Sequence, residues 1–383
     1  MILTIFSLLA ISIVFELPTA IYQIITLHTP ILRPLLPGKG LTMDSVPVIP
    51  ISASRSMVIM EDGTLWTWGF HVYQFDKIME DATAVFSGGN SSLILTSDGT
   101  LWIFGDRIRG LRHWALRAFV PDVAWEPEKI MYNVVDVSMG GGCAFAITSD
   151  GVLWGWGRNI DGQLGDGTTT DRPYPIKIME DVIAVSAGSS HTMAITSDGT
   201  LWGWGRNLFD DGTTTNQLTP IEIMEDVVAV SGTFVITSDS TLWHLGPNWR
   251  GLLEDGTEEV RPSPEKIMED VIAVSAGRSH VMAITSDSGL WAWGNNGFEG
   301  SGETRAGRRG LGKLGDGTTE SRSTPVRIME DVVAVSAGSD HTMAVTSDGA
   351  LWTWGDNQFG RLGDDTYDFR SVPGKVLEGV LLP

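Results

Sequence analysis

The sequence predicts an all-β protein: a seven-bladed β-propeller of four-stranded antiparallel blades, closed by pairing of N- and C-terminal segments. Three observations carry this. A tryptophan block recurs at a mean spacing of about 48 residues. A second, unrelated block recurs with it. The composition is rich in turn formers and aromatics (Gly 45, Trp 15) and poor in charge, at 19%. With 383 residues and 42% hydrophobic content, the chain is long enough and apolar enough for a large core.

The first Trp of each unit falls at Trp66, Trp102, Trp154, Trp202, Trp243, Trp291 and Trp352. An Asp precedes each by four residues: Asp62, Asp98, Asp150, Asp198, Asp239, Asp287 and Asp348. The second block, "KIMEDV" and its variants, carries Ile78, Ile130, Ile178, Ile223, Ile267, Ile328 and Val376. One unit reads as local structure in order. "VIAVSAG" (182–188) is β-branched and ends in Gly, a strand and a turn; "TMAIT" (192–196) is a second strand. "SDG" (197–199) supplies a tight reversal. "LWGWG" (201–205) is a third strand whose two tryptophans share a face, because residues i and i+2 do. "LTPIEI" (218–223) is a fourth, with its Pro where a strand start or edge tolerates one. A four-stranded sheet has two faces to cover. Radial packing covers both and leaves only short edges. A linear β-solenoid is the alternative, although its repeats are usually shorter.

The ends bear on closure. "SVPVIPISASRSMVIMEDG" (45–63) matches the unit from "VIAVSAG" onward, and "PGKVLEGVLLP" (373–383) matches "PIEIMEDVVAV" (220–230). A strand from one end is expected to complete a blade begun by the other. Residues 41–383 form the propeller, and 1–40 an apolar segment and linker. "MILTIFSLLAISIVF" (1–15) is continuously apolar, and the first basic residue is Arg33. It reads as a signal or membrane anchor without a basic n-region. Glu16 and Pro18 disfavour a span over residues 2–27. The expectation is a secreted or cell-surface protein, touching membrane only through residues 1–27 if they are retained. The alternative is a cytoplasmic protein with a packing segment there.

The net charge of −21 opposes phosphate backbones, so no nucleic-acid partner is expected. The single cysteine, Cys143, allows no intrachain disulfide.

The blocks "AGSSHTMAITSDGTLWGWGRN" (187–207) and "GQLGDGTT" (162–169) resemble the repeats of the regulator of chromosome condensation family, over roughly residues 45–383. The wording "LWGWG" and "GDGTTT" is most similar to bacterial members. The resemblance implies a seven-bladed propeller. It also implies a choice of functions: the eukaryotic founder is a guanine-nucleotide exchange factor acting on a small GTPase and binding chromatin, a plant member is a UV-B photoreceptor, and a secreted bacterial member inhibits β-lactamases. In the photoreceptor the sensing tryptophans sit just before the His of the "GxxH" block. Ser190, Ser279 and Asp340 stand there in this chain, against light sensing.

Each candidate site has a structural reading beside it. The pairs Trp66/Trp68, Trp154/Trp156, Trp202/Trp204, Trp291/Trp293 and Trp352/Trp354, with the single Trp102 and Trp243, recur in every unit. That suits inter-blade packing better than a ligand site. His191, His280 and His341 occupy equivalent "GxxH" positions, filled elsewhere by Arg55, Ser91 and Cys143. A hydrogen bond at a turn is expected of them, not a metal. Cys143 reads as a buried replacement. The Asp-Gly loops lack the EF-hand order and read as turns. The acids Glu80/Asp81, Glu180/Asp181, Glu225/Asp226, Glu269/Asp270 and Glu330/Asp331 are expected at one height, as an acidic rim.

The irregular stretches 106–128 and 297–313 are the better interaction candidates. They carry Arg107, Arg109, Arg112, Trp114, Arg117 and Trp125, and Arg305, Arg308 and Arg309, in an otherwise acidic chain. No catalytic, metal or cofactor constellation is present. The reading is a monomeric, non-catalytic protein-protein interaction scaffold. The alternatives are an exchange factor for a small GTPase and a carbohydrate-binding or enzymatic propeller.

Overall fold

The computed structural model describes residues 56–59, 64–69, 72–88, 91–105, 124–206, 215–245, 264–297, 312–338, 340–357, 362, 364, 366 and 368–377. These residues are all strand, turn and loop. The first sheet has three strands: β1 (Ser56–Ile59), β2 (Leu65–Gly69) and β3 (Val72–Met79). Six antiparallel four-stranded sheets follow, each with its strands paired in chain order. The second is β4 (Ala82–Gly88), β5 (Ser91–Thr96), β6 (Leu101–Gly105) and β7 (Ala124–Met131). The third is β8 (Val134–Gly140), β9 (Cys143–Thr148), β10 (Leu153–Gly157) and β11 (Arg172–Met179). The fourth is β12 (Val182–Ala187), β13 (His191–Thr196), β14 (Leu201–Gly205) and β15 (Gln217–Met224). The fifth is β16 (Val227–Ser231), β17 (Phe234–Thr237), β18 (Leu242–His244) and β19 (Glu265–Met268). The sixth is β20 (Val271–Ala276), β21 (His280–Thr285), β22 (Leu290–Gly294) and β23 (Arg322–Met329). The seventh is β24 (Val332–Ala337), β25 (His341–Thr346), β26 (Leu351–Gly355) and β27 (Arg370–Leu377).

The architecture is a propeller of successive sheets. The C-terminal β27 pairs with β26 of its own sheet, from Leu377 opposite Leu351 to Arg370 opposite Gly355. Of the segments read as closing the propeller, 45–63 and 373–383, residues 56–59 lie in the first sheet and 373–377 in the seventh. The rest of both lies outside the described residues, as does the N-terminal apolar segment. No helix among the described residues is long and apolar enough to cross a membrane.

The core is a series of layers shared by consecutive sheets, with one further layer, Ala334, Met343, Val345 and Leu351, on the seventh sheet alone. Phe145, Ile147 and Leu153 of the third sheet pack with Val182, Val185, Ala194 and Trp204 of the fourth. Ala229, Phe234 and Leu242 pack with Val271, Ala283 and Trp293 in the same way. The outer face of one sheet is thus the inner face of the next layer. This explains why β9, β13 and β21 are buried at every position.

Polar links run alongside the apolar ones. The innermost strands are tied by a serine from each: Ser138 Oγ accepts from Ala187 N, Ser186 Oγ from Gly232 N, Ser231 Oγ from Ala276 N and Ser275 Oγ from Ala337 N, at 2.9–3.0 Å. A second set joins the turns at the opposite end. Asp181 O accepts from Ser197 N, Gly199 O from Val227 N, Asp226 O from Ser238 N, and Ser240 O from Val271 N. The turn residue that makes these links possible has φ near +59° at Asp81, Asn133, Asp181, Asp226, Asp270 and Asp331. Asp and Asn enter this left-handed region more readily than other non-Gly residues. The second acid of each "ED" pair is therefore required by the backbone as well as being a surface charge.

Replacing Ser275 with Ala leaves the Ala337 N–H without its acceptor between two sheets. Stability is expected to fall by about 1–3 kcal/mol, read by urea unfolding. An unchanged midpoint contradicts a role for the serine links.

Candidate functional site

The repeated Thr-Ser-Asp-Gly-x-Leu-Trp stretch is one hydrogen-bond chain. Trp202 Nε1 donates to Thr196 Oγ1 at 3.2 Å, and the Thr196 hydroxyl donates to Asp198 Oδ1 at 2.7 Å. Asp198 Oδ1 also accepts from Thr200 N. The same chain recurs through Trp102, Thr96 and Asp98, through Trp154, Thr148 and Asp150, and around Trp243, Trp291 and Trp352. The donated Thr96 and Thr100 hydrogen bonds hold the Asp98 carboxyl down at about 2. This explains the Asp four residues before the first Trp of each of these six repeats: the indole needs the threonine, and the threonine needs the acid.

In the pairs whose burial is described, the second Trp is the more deeply buried. Trp204, Trp293 and Trp354 are fully buried, and Trp156 is nearly so. Trp204 Nε1 donates to Gln163 O in the preceding sheet's loop at 2.8 Å, and Trp354 Nε1 to Lys313 O at 2.9 Å. Phe145 meets Trp204 edge-on at 6.2 Å, and Phe234 meets Trp293 at 5.9 Å. Phe104 and Leu245, where the pair is incomplete, are buried at the same place in their layers. Trp66 and Trp68 lie on β2.

The Asp-Gly loops are organised by an asparagine that sequence reasoning missed. Asn159 Nδ2 donates to Asp166 Oδ1, Thr168 O and Thr170 O, while its Oδ1 accepts from Leu164 N. Asp166 Oδ2 takes Arg172 Nε at 2.6 Å. Asn296 with Asp316 and Arg322, and Asn357 with Asp364 and Arg370, repeat the arrangement. The carboxylates are satisfied within the loop, held below the usual range by the threonine and arginine partners against the opposing effect of burial. The signal was present as the Asn of "WGRN", "WGNN" and "WGDN".

The "GxxH" loops fold the imidazole back over the glycine. A Cβ on Gly188 would lie 2.2 Å from His191 Cε1, and one on Gly338 would lie 2.6 Å from His341 Cε1. His280 Nε2 is 2.8 Å from Thr342 Oγ1 of the next sheet. Burial lowers His191 to about 4, opposed by a backbone hydrogen bond at Gly232, and holds His280 well below its ordinary value. Beside His280 lies a fully buried lysine. Lys313 Nζ donates to Ser279 Oγ at 2.6 Å and is 3.9 Å from Asp340 Oδ1. The equivalent loop places Gln163 at this position. Cys143 is buried, its thiol donating to Gly140 O at 2.8 Å, and burial pushes it up to about 12, far from a nucleophile's range. Among the described residues no group of three or more His, Cys, Asp or Glu is arranged to hold a metal.

The acidic turns form one end of the propeller. Glu80, Glu180, Glu269 and Glu330 are exposed and paired with Lys77, Lys177, Lys266 and Arg327, three residues before each. Such exposed pairs add little stability. One repeat departs from the pattern: it reads "IMYNVVDV" (130–137) where the fourth sheet reads "IMEDVIAV" (178–185). Its Asp136, aligned with Ala184, is half-buried, and loss of water around the carboxyl pushes it up to about 7. The eight predicted partner-contacting residues, Arg107, Arg109, Arg112, Trp114, Arg117, Arg305, Arg308 and Arg309, lie outside the described residues.

Two profiles of the regulator of chromosome condensation (RCC1) repeat match the chain. One matches residues 150–195, 307–345 and 348–380, and the other 134–163, 182–210, 271–299 and 332–361. The chain is 32% identical over 84 residues to Protein RCC2 homolog of Danio rerio, covering 21% of this chain and 14% of that protein. It is 34% identical over 85 residues to the ultraviolet-B receptor UVR8 of Arabidopsis thaliana, covering 21% and 16%. The match to each of these relatives thus spans less than a fifth of its length. Human WBSCR16 superposes with a TM-score of 0.63 at 18% identity over 79% of this chain and 83% of that one. Yeast RCC1 (Prp20), solved bound to Kap60, superposes with 0.52 at 17% identity over 88% and 76%. These two likenesses support the fold.

Two pH effects follow. His191 is neutral and depressed when folded, so its contribution is complete above about pH 6.5 and is lost as pH falls toward about 4, by about 3 kcal/mol in all. Replacing His191 with Gln is expected to flatten the thermal-melting profile across that window. Asp136 is raised when folded, so its presence costs stability as pH rises from about 4 to about 7. Replacing Asp136 with Ala is expected to raise the melting temperature more at about pH 8 than at about pH 4.

Proposed function

This chain carries regulator of chromosome condensation repeats within residues 134–380, and on that premise we propose that it is a non-catalytic protein-binding scaffold. One observation carries the reading: the recurring Trp, Thr, Asp and Asn side chains of the described repeats are engaged within the scaffold. The indoles bind threonines, the threonines bind aspartates, and the asparagines bind loop carbonyls. Individuality is left to the positions where a repeat departs from its neighbours. Arg112 and Trp114 in the stretch 106–128, and Arg305, Arg308 and Arg309 in 297–313, are such departures, of residue types favoured at interfaces. The related yeast propeller Prp20 has been solved bound to Kap60, and a second structure of it is described with its binding properties to Gsp1p and histones. A protein partner is the corresponding proposal for this chain.

The test is partner capture by the full chain, with in-cell cross-linking, for the native sequence and for the Arg112→Ala, Trp114→Ala double variant. The partner's yield is expected to drop about tenfold with unchanged melting. Capture that survives the double change overturns the assignment to this stretch. Accelerated nucleotide release from a small GTPase overturns the non-catalytic reading in favour of exchange.

A further inference from the structure

The end of the propeller formed by the "MED" turns is acidic at every described repeat except one. At the β7–β8 turn the acids are replaced by Tyr132 and Asn133. Asn133 keeps φ at +59°, so the backbone of the turn is the same as at its neighbours. Its links are also the same: Val134 N donates to Gly99 O, and Asn133 O accepts from Ser149 N. The exchange therefore leaves the fold alone and alters only what the turn presents to solvent.

What it presents is apolar. Tyr132 is 60% exposed and Val135 is 58% exposed, two of the few large hydrophobics left open among the described residues. At the position of Val135 the other sheets carry Thr83, Ile183, Val228, Ile272 and Val333, all half-buried. The cation three residues before the turn also behaves differently. Lys77, Lys177 and Lys266 bind the Glu of their own turns. Lys129 has Tyr132 there, and its Nζ lies 4.8 Å from the Tyr132 ring and 4.7 Å from the Trp102 ring. The lysine thus links the tyrosine to an indole already held by Thr96. The exposed ring is held in place before any partner arrives, which lowers the ordering cost of binding.

Acid flanks the patch on both sides. The turn lies between the 97–99 and 149–151 turns, whose Asp98 and Asp150 are exposed, and Glu180 and Asp181 follow on the next sheet. Lys129 is next to Asp98, which offsets its charge. An apolar centre without a carboxylate to desolvate, inside a negative surround, fits one class of partner.

We propose that Trp102, Lys129, Tyr132 and Val135 form a docking surface for a Lys/Arg-rich protein segment that carries an apolar or aromatic residue. The partner's apolar side chain packs on Tyr132 and Val135, and its cations meet Asp150, Glu180 and Asp181. This rests on the scaffold reading and names the surface and the partner's chemistry.

The test uses the full chain and two fluorescent peptides followed by anisotropy. Both are Lys/Arg-rich; one has a Leu-Phe centre and the other a Gly-Ser centre. The native chain is expected to bind the Leu-Phe peptide about tenfold tighter. The Tyr132→Glu, Asn133→Asp variant restores the turn found in five other repeats, so it is expected to fold, as a melting curve checks. In it the preference is expected to vanish while the Gly-Ser peptide binds at least as well. Val135→Thr, which installs the residue of the first equivalent strand (Thr83), is expected to lower the preference in part. A native chain with no preference, or a variant that keeps it, overturns the proposal. Partner capture through Arg112 and Trp114 tests a different segment, so loss of the peptide preference alone leaves the scaffold reading standing.

Discussion

Everything in this protein depends on a sheet having two apolar faces and only half of the cover it needs. The third sheet buries Phe145 and Ile147 by leaning on Trp204 and Val185 of the fourth, and the fourth buries Met193 and Ile195 by leaning on Val230 and Val235 of the fifth. Among the described residues every layer spans two repeats except that of Ala334, Met343, Val345 and Leu351, which belongs to the seventh sheet. A repeat taken alone would expose the residues that its neighbour covers, so stability is set by interfaces between repeats as much as by strand pairing within them. The polar links reinforce this direction. The serine of each inner strand and the carbonyl of each turn reach to the next sheet, where a missing partner would leave a buried N–H unsatisfied.

Much of this was legible because the repeat states each rule several times. Leu201–Gly205 is a strand with the bounds read from "LWGWG", since an Asp-Gly turn fixes its start and alternation fixes its faces. The sequence also placed Trp202 and Trp204 on one side, and both pack into the layer shared with the third sheet. Of the acidic pairs only half the meaning was visible. Glu180 is a surface charge, whereas Asp181 sits in a left-handed turn that few residues accept.

What escaped the sequence shares a physical cause. The partner of Asn159 is a set of loop carbonyls, and carbonyls have no letter in the sequence. Lys313 reads as a surface lysine until the packing of the sixth sheet on the seventh encloses it and sets Ser279 at its tip. Its long apolar stem suits the layer, and the equivalent loop carries the neutral Gln163 there. Asp136 looks like one more acid in an acidic chain. The repeat already aligns it with alanine; that the position is partly enclosed, and its carboxyl stripped of water, shows only in the packing.

The last consequence concerns where function sits in such a molecule. Selection for packing acts on all repeats alike, so a side chain required by the fold is found in most of them, as the Thr-Asp-Trp chain is. A side chain absent from the other repeats, in a turn whose backbone is unchanged, is not explained by packing. Tyr132 meets both conditions: its turn keeps the φ and the hydrogen bonds of its neighbours, and its ring is turned to water. Exposing an aromatic ring carries an unfavourable hydration cost. The fold gains nothing from it that the Glu-Asp turns do not already supply, which leaves recognition as the property that distinguishes this repeat from the others.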